Sequence, residues 1–166
     1  MPMKPTSKSR IRSFDLRGAE DLGATTLIVR DHQTAMHDLR QDSYFQPVKD
    51  HSGPYDVVLS IEENRLVFRV TNVIGDELPM LVLSLKPYQR LIKDYFMIVH
   101  SYEEALREGK PSRIEAIDMG RRGLHNEGAE LLMDRLMDKI LMDLNTSRRL
   151  FSLICVLHSG KALIWR

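Results

Sequence analysis

The sequence predicts an α+β fold: an antiparallel β-meander of three to four strands with one face covered by helices, then a helical C-terminal half with a buried last helix. Three observations predict it. Apolar and polar residues alternate with period two across residues 56–70, apolar residues recur at helical spacing from Tyr88 to Leu106, and a nearly unbroken apolar run fills Leu150 to Leu157. Strands come first and helices follow, without βαβ alternation, which separates α+β from α/β.

In the meander, Val57, Leu59 and Ile61 alternate with Asp56, Val58 and Ser60. Glu63-Asn64 then supplies a two-residue turn, because asparagine tolerates positive φ. A hairpin closing there sets Ile61 opposite Leu66, Leu59 opposite Phe68 and Val57 opposite Val70, three apolar pairs on one face. A third strand is expected over Met80 to Leu85, after a loop holding Gly75-Asp76 and Pro79, with Leu81, Leu83 and Leu85 opposite Val70, Phe68 and Leu66. Ile11 to Leu16 is a candidate fourth strand. The opposite face carries Val58, Val67 and Val82 among polar residues.

An amphipathic helix is expected near Ile28 to Leu39, before the sheet. After it, Pro87 suits the first turn of a helix whose Tyr88, Leu91, Ile92, Tyr95, Phe96, Val99, Tyr102 and Leu106 fall in one arc. Gly109, Lys110 and Pro111 end that helix. Ser112 to Glu115 has the spacing of a capping box. Gly120 and Gly123 bracket Arg121-Arg122 and predict a break, after which Asn126 caps a helix carrying Leu131, Leu132, Leu136 and Ile140. Asn145 is expected to cap the last helix, Thr146 to Leu157, which is apolar nearly all round and therefore central. Phe68, Phe96, Phe151 and Ile154 should then share one buried cluster.

Length and composition bound the remaining possibilities. A chain of 166 residues fits one domain, read as a disordered lead over residues 1–10 and a single globular domain over 11–166. With 43% apolar and 28% charged residues, it is not a disordered, collagen-like or disulfide-scaffold chain. A net charge of +1 argues against a wholly basic nucleic-acid binder, although a local basic patch keeps nucleic acid among the candidate partners. Cys155 is the only cysteine, which suits a reducing cytoplasm. The N-terminal basic residues precede no apolar segment, and no apolar run approaches a membrane span of roughly 18 residues. The reading is therefore cytoplasmic, with no membrane partner.

Four stretches carry a family resemblance: Arg30 to Ala35 (RDHQTA), Leu83 to Ile98 (LSLKPYQRLIKDYFMI), Ile114 to Leu132 (IEAIDMGRRGLHNEGAELL) and Arg148 to His158 (RRLFSLICVLH). Together they resemble an uncharacterised family of small alphaproteobacterial proteins, numbered 0262 among the conserved hypotheticals. The resemblance covers nearly the whole chain after the lead. It implies a cytoplasmic bacterial protein with one compact domain, and it supplies no activity, cofactor or catalytic residue. Function has to be argued from the residues.

Two arginine pairs stand out. Arg121-Arg122, with His125 and Asn126 just beyond, combines guanidiniums that clamp phosphate or carboxylate with the positive end of an expected helix start. Its bland alternative is a glycine-broken junction whose arginines pair with Asp118 or Glu127. Arg148-Arg149 is expected in a first helical turn, where cations meet the positive dipole end, so that an acidic partner such as Asp143 or a bound anion must offset them. Elsewhere the bland readings lead. His32 shares a stripe with Val29, Met36 and Leu39 and reads as half-buried; His37 points away from it; Asp31 and Asp38 read as solvated. Tyr95 and Cys155 read as core, and Asp94 as the helical partner of Arg90. No HExxH, CxxC, GxGxxG or nucleophile-elbow string occurs, so neither metal nor cofactor is expected.

The preferred functional reading is a non-enzymatic binding or regulatory protein recognising an anionic ligand or acidic protein surface through Arg121, Arg122, His125, Asn126, Arg148 and Arg149. One alternative is a small enzyme acting on a phosphate- or carboxylate-bearing metabolite, with His125 as acid/base and Arg121 or Arg122 as the clamp. Another is a structural homodimer or adaptor docking through the face with Val58, Val67 and Val82. The readings diverge on geometry: an enzyme needs a concavity where His125 and a carboxylate meet, a binder needs accessible cations, and an adaptor needs an apolar patch.

Overall fold

A computed structural model describes residues 8–18 and 25–159. The elements run β1 (Ile11–Leu16), α1 (Thr26–Gln41), β2 (Phe45–Pro47), β3 (Tyr55–Glu62), β4 (Arg65–Thr71), β5 (Leu81–Ser84), a 3₁₀ turn at Lys86–Tyr88, α2 (Gln89–Glu108), α3 (Pro111–Leu136), β6 (Ile140–Met142) and α4 (Leu144–His158). The fold is α+β, as the residue pattern predicts.

The β3–β4 hairpin closes at Glu63-Asn64, where both residues adopt positive φ, 52° and 63°. Its register is the expected one, with Ile61 opposite Leu66, Leu59 opposite Phe68 and Val57 opposite Val70. β5 pairs antiparallel to β4, but two residues away from expectation: Leu81 faces Phe68 and Leu83 faces Leu66. The intervening loop causes the shift. Leu78 donates its N–H to the Val70 carbonyl and Thr71 bridges to Glu77, so the place expected for Leu81 is already taken. β1 joins the sheet parallel to β3, giving the order β1-β3-β4-β5 and a mixed sheet in place of a purely antiparallel one. α1 lies in the crossover between those parallel strands, the connection that parallel pairing requires.

A second, two-stranded sheet joins β2 to β6. Three-residue strands have too few positions to show a period, so neither was expected, and Ile140 sits in β6 and not on a helix. The expected lead falls outside the described residues over 1–7. Within the rest of it, Ser9 donates to Gln46 and the Arg10 carbonyl accepts the Tyr55 N–H.

The helical half differs from expectation at its punctuation. α3 runs unbroken through Gly120 and Gly123. Interior glycines cost helix stability, about 1 kcal/mol each, yet packing of Leu124, Ala129, Leu132 and Leu136 holds the helix through them. Asn126 is therefore an exposed mid-helix residue and caps nothing. Lys110 is the residue before α3, with Pro111 in its first turn, so Ser112 and Glu115 lie inside the helix and form no capping box. α4 begins earlier than expected. Asp143, in place of Asn145, caps it by accepting the Thr146 N–H at 2.8 Å.

One apolar core joins every layer. Leu59, Leu66 and Phe68 of the sheet meet Ile92 and Tyr95 of α2, Leu132 of α3 and Phe151 and Ile154 of α4. Phe96 only borders that cluster, half-buried. α4 is buried along nearly its whole length, as its composition demands, and Cys155 lies inside it. Gly128 of α3 makes room for this helix: a Cβ there would meet the Phe151 ring at 2.4 Å.

Candidate functional site

Three helices converge on one cleft of about 240 Å³. α1 contributes Arg30, Asp31, Thr34 and Asp38; α3 contributes Arg121 and His125; α4 contributes Asn145, Arg148, Arg149 and Ser152. Helical geometry dictates these sets. Residues three, four and seven apart share one face, so Asp31 with Asp38, Arg121 with His125, and Asn145 with Arg148, Arg149 and Ser152 each form a stripe.

Both arginine pairs thus reach the cleft, but not with every member. Arg121, His125, Arg148 and Arg149 line it, whereas Arg122 points outward, 65% exposed, and pairs with Asp118 at 3.1 Å. Asn126 lies outside it as well. Glu127, an expected partner of the first pair, is engaged by Arg90, which also pairs with Asp94 as expected. Because α4 starts at Leu144, Arg148 and Arg149 occupy its second turn, away from the unfavourable dipole end, and Asp143 serves the cap and not the arginines.

Asp31 is the centre of the polar network and corrects its expected place on a solvated face. It is 5% exposed, and its two oxygens are held separately: Tyr95 donates its hydroxyl at 2.9 Å and Arg121 donates at 3.2 Å. Arg121 is held again by Asp118 at 3.1 Å. Arg30 joins Asp118 at 3.6 Å and lies 5.3 Å from the centroid of the Tyr102 ring. Arg149 reaches Asp38 at 3.7 Å and donates to the Asp42 carbonyl. Arg148 differs: among the described residues it makes no ion pair, and its Nε is buried without a hydrogen-bond partner.

His125 stands between two aromatic rings, 5.9 Å from Tyr95 and 5.7 Å from Phe151 by centroid, and is 3% exposed. Its Nδ1 lies 2.9 Å from the Arg121 carbonyl. A carbonyl only accepts, so Nδ1 carries the proton and Nε2 of the neutral ring presents a lone pair. Nε2 is buried and unpartnered. Burial, foremost, pushes the imidazole below its ordinary pKa; Arg121 and Arg148 push the same way, while the Arg121 carbonyl and Asp31 oppose them. The Tyr95 phenol is raised far above its ordinary value, first by burial and then by Asp31.

Arg30, Asp31, Thr34, Asp38, Asn145 and Ser152 line the cleft without having been read as site residues, and Tyr95, read as core, holds Asp31 from beneath. One signal was present for Asp31: Leu27, Ile28, Asp31, Ala35 and Leu39 follow the spacing of one buried stripe. Among the described residues, no group of three His, Cys, Asp or Glu side chains could hold a metal ion. No described helix is long and apolar enough to cross a membrane.

Comparison with known proteins gives a family but no solved fold. A family model described as "Uncharacterised protein family (UPF0262)" matches residues 8–160. The UPF0262 protein of Mesorhizobium japonicum is 48% identical over 158 residues, 94% of this chain and 98% of that protein. Those of Brucella anthropi and Rhizobium meliloti are each 48% identical over 149 residues, 89% of this chain and 93% and 94% of theirs. No solved structure matches the chain significantly.

Proposed function

The chain belongs to the UPF0262 family, and on the geometry of its cleft we propose that it is a non-enzymatic binding protein that holds a small anionic ligand between α1, α3 and α4. One observation carries the reading. Arg148 brings an unpaired guanidinium, its Nε buried and unpartnered, into a concavity it shares with Arg121 and Arg149. A buried donor left without a partner costs about 1–3 kcal/mol, which an anion would recover. Arginines outnumber carboxylates along the lining, so the cleft favours negative charge. Its concave shape suits a small ligand better than an extended acidic protein surface.

The enzyme alternative draws on the same place, since His125 and Asp31 both line the cleft. Two features favour binding over catalysis: both Asp31 oxygens are engaged, and His125 is fixed between rings. Arg122 lies outside the cleft and pairs with Asp118, so Arg121 is the clamp this geometry favours. The adaptor alternative has less support. On the face with Val58, Val67 and Val82, the valines are half-buried, buried and 41% exposed respectively, and Arg69, Glu62 and Ser60 interlock among them. A cytoplasmic setting fits the buried, unpaired Cys155.

A thermal-shift titration at low ionic strength tests the reading, with phosphate and malonate as probes. At a hundredfold excess over Kd, binding adds ~2.7 kcal/mol, roughly 5–10 °C for a chain of this size. Arg148→Gln should abolish the gain without lowering the unliganded melting temperature, because Arg148 makes no ion pair among the described residues and its Nε is an unpaired buried donor. No saturable shift with either probe would end the anion-binding reading.

A further inference from the structure

Two of the residues that line the cleft each carry an orphan polar atom, and the two atoms are complementary. Arg148 Nε is a buried donor without an acceptor, and His125 Nε2 is a buried acceptor without a donor. They come from α4 and α3, and both residues line the same concavity. A ligand that only accepts, such as a carboxylate or a fully ionised sulfate, would satisfy the arginine and press its own lone pairs against those of Nε2. A ligand that only donates would satisfy the histidine and meet the arginines' charge. Water can do both but carries no charge to balance the arginines, which outnumber the carboxylates along the lining; an oxyanion that keeps a proton does both and supplies that charge.

We propose that the ligand group is a hydrogen phosphate, with one oxygen accepting from Arg148 Nε and the P–OH donating to His125 Nε2. This rests on the anion-binding reading and names the ligand class for the same site. The groups facing His125 agree on its state. From α1 comes Asp31, already occupied by Tyr95 and Arg121; from α2, the neutral Tyr95 phenol; from α3, Arg121; and from α4, Arg148 and the Phe151 ring. The two cations and the apolar walls keep the ring neutral, so Nε2 stays an acceptor. Asp31 cannot substitute for it, since its oxygens are held. Free hydrogen phosphate and the singly ionised form of a phosphate monoester share this chemistry, and the volume of about 240 Å³ admits either.

The test is calorimetric titration of the full chain at constant ionic strength with inorganic phosphate, sulfate and methyl phosphate. At about pH 8, where inorganic phosphate still holds a proton and sulfate has none, sulfate should bind at least about tenfold more weakly, because it leaves a buried acceptor unpaired. On lowering the pH until His125 takes up a proton, Nε2 becomes a donor and the sulfate deficit should close. This arm uses the unaltered protein and needs no folded variant. His125→Gln offers an amide that can donate, so it should retain phosphate binding and lose the discrimination. Methyl phosphate at about pH 6, where the ester is partly protonated, separates the sources: affinity equal to phosphate or better assigns a monoester, and a tenfold deficit assigns the free ion. Sulfate binding within about threefold of phosphate at the higher pH would overturn the proton-bearing ligand and leave anion binding standing. Failure of every oxyanion to bind would overturn both.

Discussion

The Tyr95 hydroxyl donates a 2.9 Å hydrogen bond to the Asp31 carboxylate, 64 residues away, and so ties α2 to α1 beneath the cleft. The other Asp31 oxygen holds Arg121 of α3. A single buried carboxylate thereby fixes the relative placement of three helices, two of which line the site.

Tyr95→Phe removes one donor from that buried carboxylate and leaves the ring in place. Hydrogen bonds to charged groups contribute about 1.5–3 kcal/mol, so a loss of that size is expected in denaturant unfolding. A change under about 0.5 kcal/mol would show that Asp31 is satisfied without the phenol.

Asp31→Asn should separate stability from binding. It weakens the hold on Arg121 and removes a negative charge from the cleft, so the folded state loses stability while phosphate affinity rises several-fold. Weaker phosphate binding in this variant would mean that Asp31 orients Arg121 for the ligand and does not compete with it.

Packing of α3 on α4 depends on Gly128. A methyl group there would meet the Phe151 ring at 2.4 Å, and overpacking of this kind costs about 1–3 kcal/mol. Phe151→Ala should cost about 3–5 kcal/mol through the cavity it leaves. Combined, the two changes should cost less than their sum, because the smaller side chain makes room for the methyl; strict additivity in a double-mutant cycle would deny the contact.

Acid stability follows from His125. Burial holds its folded pKa below the ordinary value of about 6.5, so on acidification the unfolded chain takes up a proton first. Stability contributed by the neutral ring is therefore full above about pH 6.5 and is lost as pH falls toward the folded pKa. His32, also lowered by burial, adds to the same limb. Glu62, which Arg69 holds down at about 2, titrates at lower pH and leaves this window to the histidines. Unfolding free energies measured from pH about 7.5 to 5.5 should decline, and His125→Gln should flatten the decline. A flat wild-type profile would place His125 in solvent-like surroundings.

The hairpin, the buried last helix and the core face of α2 were legible in the residues, because each rests on a local period or on a two-residue turn. What was not legible depended on distant partners. Glycines at 120 and 123 read as a break because their local cost is visible, whereas the packing of Leu124 and Leu132 that overrides it is not. The β5 register failed because the Leu78 to Val70 hydrogen bond lies in the loop. Four of the six residues proposed for the site converge, since i,i+4 spacing carries Arg121 to His125 and the adjacent Arg148 and Arg149 sit on one helix. Arg122 points about 100° away from Arg121 and lies outside the cleft. Asp31 was hidden because its partners, Tyr95 and Arg121, lie on other helices.

The most direct measurement is a phosphate titration followed through the Arg148 Nε–H resonance in arginine-selective NMR. Arg148 Nε–H should shift saturably, together with the His125 ring nitrogens, while Arg122, outside the cleft, stays unmoved. Shifts that track Arg122 and the other exposed arginines without saturating, or no shift at Arg148, would contradict a phosphate-binding cleft between α1, α3 and α4.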